Sequence, residues 1–199
     1  MSMKVYTRRQ LMAFKLYDAE IEYLESTGTQ YINTGIFIGI DERVDCTFSL
    51  LTYDYTALLG ARVAAGNNML AIWAYTADKC VRFDFGSSNK GGYVFSIFPD
   101  LEQYYTVSKI GRKNFVDGSE IQSNIASSYS PEYPSFVFAL NNGGNAAFCG
   151  HVRIKQFIIS DRMHLIPVRV GNIGYMYDKV AKQLFGNAGT GSFILGPDK

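Results

Sequence analysis

Cysteine, histidine and proline are scarce in this chain, and net charge is nearly absent. The three cysteines, Cys46, Cys80 and Cys149, are odd in number and widely spaced. They form neither a Cys-x-x-Cys pair nor the even framework of a small disulfide-stapled domain. Cys46 and Cys149 sit beside apolar strand residues and are expected to be buried and reduced, the state of a protein folded in a cytoplasm. The two histidines, His151 and His164, show no His-x-x-x-His or Cys/His ligand spacing, so transition-metal binding has no support. Both are expected at the surface, one opening a strand and the other following a turn. A Gly-x-Ser-x-Gly elbow and a phosphate loop are missing, and Gly60-Ala61-Arg62 is too short to stand for either. No apolar run reaches the length of a signal-peptide core or a membrane span, so neither a leader nor membrane insertion is expected. A net charge of +1 argues against a polyanion-binding protein.

What the chain does have is aromatic residues and glycine: 14 Tyr, 14 Phe and one Trp beside 19 Gly in 199 residues. Aromatic strands broken by glycine turns give such a composition. The length suits one all-β sandwich with a short extension, and a chain of this size buries enough surface for a core without disulfides. Period-two patterning follows from Ile21 onward. Val44, Cys46, Phe48 and Leu50 alternate with Arg43, Asp45, Thr47 and Ser49, and Val81, Phe83 and Phe85 alternate with Arg82 and Asp84. Phe136, Phe138 and Leu140 alternate with Val137 and Ala139, which predicts one strand covered on both sides. In residues 151–159 the pattern slips phase, as a bulge near Lys155-Gln156 would make it do. Asp117-Gly118 after Phe115-Val116 is a hairpin signal. Residues 66–68, 87–92 and 141–145 read as glycine- and asparagine-rich loops, and Pro99, Pro131 and Pro134 fall between apolar runs. About ten to thirteen short strands with this spacing predict two stacked sheets.

Charge is unevenly placed. Lys4, Arg8, Arg9 and Lys15 lie in residues 1–17 without an acid, whereas the remaining 15 basic residues meet all 18 acidic ones. A basic arm, residues 1–18, therefore precedes a mildly acidic body, residues 19–199. Thr7 could cap a short helix over residues 8–17, with Leu11, Met12, Leu16 and Tyr17 as a ragged apolar face. The arm admits two readings: a soluble leader, or an assembly element with Leu11, Phe14 and Leu16 as apolar anchors and Arg8 and Arg9 for acidic partners. Its four charges are too few for more than weak, salt-sensitive binding of nucleic acid, which is not expected as a partner.

Two stretches carry a family resemblance. One is Tyr23-Leu24-Glu25-Ser26-Thr27-Gly28-Thr29-Gln30-Tyr31-Ile32-Asn33-Thr34-Gly35-Ile36. The other runs from Leu165-Ile166-Pro167-Val168-Arg169 through Gly174-Tyr175-Met176-Tyr177-Asp178 to Phe185-Gly186-Asn187-Ala188-Gly189-Thr190-Gly191. They resemble the opening and closing segments of a concanavalin A-like, laminin-G-like jelly-roll domain, found in phage and prophage structural proteins and in surface proteins of gut bacteria. Phe115-Val116-Asp117-Gly118-Ser119 is similar to its central hairpin, and Ile154-Lys155-Gln156-Phe157-Ile158-Ile159 with Asp161 to its penultimate long strand. The resemblance spans roughly residues 20–198. It implies an antiparallel two-sheet sandwich in which the Ser26–Thr29 turn sets the first strand against the last and Gly189-Thr190-Gly191 is a glycine-relaxed edge.

For function the resemblance implies a non-enzymatic bacteriophage virion protein: a capsid decoration, head-fibre or tail component. It would be homo-oligomeric, held to other virion subunits by the arm and facing host-surface glycan. The alternative is a glycan-binding module at a bacterial surface. A third reading, glycoside hydrolase, rests on Glu20-Ile21-Glu22-Tyr23-Leu24-Glu25, which imitates the Glu-x-Asp-x-x-Glu cluster of endoglucanases on this fold. That match lies in the first strand, whereas a catalytic strand belongs at the centre of the concave sheet, so it reads as accidental. No cofactor is expected. Calcium is the one metal that related sandwiches admit, with Asp41, Asp45 and Asp54 as the acids near turns. The glycan-binding candidates are Arg62, Asn67, Asn68, Trp73 and Tyr75. Trp73 and Tyr75 share a strand face, an apolar platform beside guanidinium and amide donors. The competing reading turns Ala71, Trp73 and Tyr75 inward as core.

Overall fold

Alternating apolar and polar side chains build the described part of this protein from strands. A computed structural model describes residues 15–64, 67–75, 80–86, 93–95, 100–122 and 129–199, and no helix occurs among them. In chain order the strands are β1 (Ala19–Glu20), β2 (Leu24–Thr27), β3 (Ile32–Asn33), β4 (Val44–Leu50), β5 (Thr56–Ala64), β6 (Asn67–Tyr75) and β7 (Cys80–Gly86). Next come β8 (Tyr93–Phe95), β9 (Tyr104–Ile110), β10 (Lys113–Val116), β11 (Ser119–Gln122), β12 (Phe136–Val137), β13 (Leu140–Asn142) and β14 (Asn145–Ala147). The last five are β15 (His151–Ile159), β16 (Met163–Val170), β17 (Ile173–Asp178), β18 (Gln183–Phe185) and β19 (Ile194–Leu195). More segments exist than the sequence predicts, because several are two or three residues long.

Two sheets form a jelly-roll-like sandwich. The first has the order β11-β10-β9-β4-β15-β16-β17-β18, with β1 on β16, and β2 on both β15 and β19. The second has the order β14-β13-β5-β6-β7-β8, joined by β12 and β3. Between them lies the core. Val44, Cys46, Phe48 and Leu50 of β4 meet Leu59, Leu70, Ile72, Val81, Phe83 and Phe85 of the opposite sheet in one apolar cluster. Fully buried side chains such as Phe48, Phe83 and Phe157 each stabilise the sandwich by about 2–3 kcal/mol.

Local signals land where expected. The ladder between β4 and β15 shifts register between Ile154 and Gln156, the bulge that keeps Ile154 and Phe157 on the core side. Asp117 and Gly118 have φ of 46° and 78°, the left-handed pair that a two-residue turn between β10 and β11 requires. Cys46 and Cys80 are buried and Cys149 half-buried. The two end motifs meet: β2 pairs with β19, placing Glu25 opposite Ile194 and Leu24 opposite Leu195. The Thr29 hydroxyl and Gln30 amide both donate to the Thr190 carbonyl, at 3.0 and 3.2 Å. A Cβ on Gly189 would come within 2.0 Å of the Thr29 carbonyl oxygen, so the residue is fixed by close approach.

Residues 136–140 depart from the expectation of one strand. All are buried, but Phe138 adopts φ 70° and donates its N–H to the Leu58 carbonyl at 2.9 Å. The chain turns there. β12 runs antiparallel to β5, and β13 then runs parallel to the same strand.

Of the arm, Arg8, Arg9, Leu11 and Phe14 lie outside the described residues, as do Thr7 and Met12 and residues 87–92. Residues 16–18 form a bend rather than the last turn of a helix. Tertiary contacts explain the bend. Asp18 donates its N–H to the Arg169 carbonyl and accepts one from Gly171, and the Tyr17 ring rests on Tyr177 at 4.9 Å.

Candidate functional site

Strand β6 is apolar on both faces from Met69 to Ala74, whereas its neighbour β7 sets the Arg82–Asp84 pair on the outer face opposite Trp73 and Ala71. Along β6, Leu70, Ile72 and Ala74 face the inter-sheet core. Met69, Ala71 and Trp73 face the other way and cluster with Ala57 of β5 and Leu140 of β13. A bulge in β5 between Ala57 and Leu59 permits this, because it gives Leu58 and Leu59 to the core while Ala57 stays outside opposite Trp73.

Trp73 is thus neither an exposed platform nor part of the inter-sheet core. It is 1% exposed, on the outer face, beneath two other rings. Tyr55 stacks on it at 5.1 Å, and Phe148 meets it edge-on at 5.3 Å. Tyr55 and Phe148 touch each other edge-to-face at 5.0 Å. Those two outer rings are 37% and 36% exposed, so they present the aromatic surface that Trp73 braces from below. Among the described residues the indole Nε1 has no hydrogen-bond partner. Phe148 holds φ 55°, a left-handed conformation rare for an aromatic residue. Its carbonyl accepts the Ala57 N–H at 3.0 Å, which fixes the loop bearing the ring against β5.

Polar groups flank the rings. Arg62 lies over Phe148 with its guanidinium carbon 5.3 Å from the ring centre, and its Nε donates to the Asn142 side chain at 2.8 Å. Asn68, expected as a ligand donor, spends its amide on the protein. It donates to the Ser130 carbonyl and the Glu132 carboxylate at 2.6 and 2.7 Å and accepts the Ser130 N–H at 3.0 Å. It clamps the segment before β12. Asn67 and Tyr75 lie on β6 by backbone, and their side chains fall outside the described residues. Of the five glycan candidates the structure therefore gathers Arg62 and Trp73. Tyr55, Phe148 and Asn142 were not legible, since they come from a loop, an αL residue and a neighbouring hairpin without a shared sequence signal.

Of the glutamates that imitate a catalytic cluster, Glu20 and Glu25 are engaged by other side chains. Glu20 ends β1 and accepts a hydrogen bond from Tyr17 at 3.1 Å. Glu25, on the outer face of the first sheet, is held by Arg153 at 2.7 Å. Between them Ile21 is buried and bridges to Asp198. The neighbouring Tyr104 lies under Lys155, 3.7 Å from its ring centre, and burial pushes its hydroxyl up to about 12.

The acids considered for calcium have other partners: Asp45 pairs with Arg43 at 2.6 Å, Asp41 with Arg112 at 3.7 Å, and Asp54 accepts from Thr52 at 2.6 Å. Among the described residues no three side chains of ligating type gather. His164 is less exposed than expected: its Nε2 is buried without a partner among the described residues, and burial, then Lys179, lowers its basicity.

No family model matches the chain, and no curated protein matches it. Solved structures similar to it include NanB plus Optactamide, at TM-score 0.49 and 14% identity over 88% of this chain and 39% of that one. A mutant NanB sialidase from Streptococcus pneumoniae is similar at TM-score 0.47 and 13% identity, over 90% of this chain and 39% of that one. The chain spans about two fifths of the length of those proteins.

Proposed function

We propose that this protein is a non-enzymatic, lectin-like module that grips carbohydrate on the outer face of its second sheet. The observation that carries the reading is the braced pair of exposed rings, Tyr55 and Phe148, over buried Trp73. A sugar offers an apolar face of C–H groups and a rim of hydroxyls. Aromatic faces take the first, and fixed guanidinium and amide groups take the second. Trp73 contributes by holding the rings in place, which reduces the ordering cost of binding.

A glycan array followed by titration calorimetry tests this. Tyr55→Ala and Phe148→Ala are each expected to weaken binding about tenfold or more, with the unfolding midpoint close to wild type because both rings are partly solvated. Trp73→Ala should lower stability as well, by about 3 kcal/mol. Undiminished affinity in both exposed-ring variants would sink the proposal.

A second reading sets this module on a phage virion, with the arm docked on neighbouring subunits and the copies forming a homo-oligomer. The clamped base of the arm supports it: Asp18 and Tyr17 hold the chain against the β16–β17 hairpin, beside Leu16, which is 48% exposed. Removing residues 1–14 is then expected to abolish co-sedimentation with particles while leaving glycan affinity unchanged. Retained co-sedimentation would rule the docking role out.

A further inference from the structure

Seven arginines lie among the described residues, and six of them pair with a carboxylate. Arg43, Arg82, Arg112, Arg153, Arg162 and Arg169 meet Asp45, Asp84, Asp41, Glu25, Glu42 and Asp198 at 2.6–3.7 Å. Arg62 meets none. Its Nε is taken by an amide oxygen, that of Asn142, which fixes the group without neutralising it. Among the described residues nothing accepts a hydrogen bond from its two terminal nitrogens.

This cation, without a carboxylate partner among the described residues, is held firmly for a half-buried side chain. Its plane is set by the Asn142 bond and by the Phe148 ring beneath it. The backbone is held too, since the Arg62 carbonyl accepts the Gly143 N–H at 2.9 Å. Gly143 and Gly144, at φ 62° and 94°, form the tight turn that carries Asn142 to this position. Asn141 locks the same hairpin from inside: it donates to the Pro134 carbonyl and accepts the Gly144 N–H, both at 2.8 Å. With Nε occupied, the two terminal nitrogens remain as a fork at the edge of the aromatic surface. A planar fork of two N–H donors matches a carboxylate in two parallel hydrogen bonds, charge-assisted and directional.

We infer that the site takes an acidic sugar, with Arg62 binding its carboxylate while the ring lies on Tyr55 and Phe148. This inference rests on the carbohydrate reading above and adds the charge class of the ligand. Arg62 is then the residue that decides specificity, and the rings supply affinity common to charged and neutral sugars.

The test is an array of uronic-acid oligosaccharides, each beside its carboxyl-reduced, neutral counterpart, followed by titration of the best pair. The wild type is expected to prefer the carboxylated member at least tenfold, with the preference shrinking in 0.5 M salt (~4 Å screening length). Arg62→Gln should erase the preference, weakening the carboxylated member at least tenfold more than its neutral counterpart. Arg62→Lys, which keeps the charge and loses the fork, should retain part of it. Tyr55→Ala should weaken both members alike. A thermal melt of each variant establishes that it is folded, and the lysine variant decides the matter if the glutamine variant is not. Equal wild-type binding of the two members, or a preference that survives in folded Arg62→Gln, overturns the inference and leaves the carbohydrate reading standing. A wild type that binds neither member of any pair refutes both.

Discussion

Replacing Gly60 by alanine is expected to destabilise the protein by about 3 kcal/mol or more, although it adds a single methyl group. Gly60 sits in β5 opposite Ala71 of β6, directly under the outer aromatic cluster. A Cβ there would lie 2.4 Å from the Leu70 carbonyl oxygen, 2.7 Å from Ala71 Cα and 2.9 Å from Ala71 Cβ. These are backbone or near-backbone atoms of the neighbouring strand, so no rotamer change relieves the clash. Its φ of +143° adds a conformation that L side chains rarely adopt. Gly118 separates the two causes. It also has positive φ, +78°, but a Cβ there meets nothing within 4 Å. Gly118→Ala therefore measures conformational strain with little clash and is expected to cost about 1 kcal/mol. Urea unfolding of both variants, read as midpoint shifts at constant slope, gives the comparison. Two variants equal to within experimental error would show that β5 and β6 can part freely at Gly60. The consequence would reach the site as well, because the same strands carry Arg62, Met69 and Trp73.

Much of the fold was legible because its signals are local. The β4 alternation, the bulge at residues 154–156 and the Asp117-Gly118 turn each need only a few neighbouring residues to specify them, and each stands where expected. The end motifs were legible as turns, although their mutual hydrogen bonds through Gln30 and Asn187 are fixed by tertiary contact. The reversal at Phe138 was not legible. Its positive φ is stabilised by burial and the Leu58 carbonyl, and nothing in the run from Phe136 to Leu140 distinguishes it from a continuous strand. At the site, period two correctly grouped Ala71 with Trp73 but gave no indication of which face they occupy. A strand apolar on both sides removes the contrast that alternation depends on. Tyr55 and Phe148 come from the two chain segments flanking β5 and β15, and only the folded sheet brings them together.

The pH dependence of stability should carry a distinct signature from Lys109. This lysine is 0% exposed, on the inner face of β9 beyond Val107, and its Nζ donates to the carbonyls of Ile40 and Glu42. Its ammonium lies 5.6 Å from the Phe85 ring centre. Burial, opposed by Asp41 and Glu42 and reinforced by Arg112, brings its pKa from 10.5 down to about 8. Below pH 8 the folded and unfolded chains both hold the proton, so the cost of burying the charge is constant. Between pH 8 and 10.5 the folded chain releases the proton while the unfolded chain still binds it, and stability therefore rises with pH. Each unit inside that window is worth about 1.4 kcal/mol. Cys46, whose thiol burial pushes well above its ordinary 9.0, acts in the opposite direction above pH 9, as do Tyr104 and Tyr129 above pH 10. The comparison is therefore with Lys109→Met, which keeps those groups and removes the lysine. Wild type is expected to gain about 2 kcal/mol on this variant between pH 8 and pH 10 and nothing between pH 6 and pH 7. Urea titrations at each pH measure the difference directly. A difference that stays flat through pH 10 would mean that Lys109 remains charged in the folded state, held by the two carbonyls and by Asp41 and Glu42. The same lysine would then be a purely favourable clasp between β9 and the loop at residues 40–42, and methionine would weaken the protein at every pH.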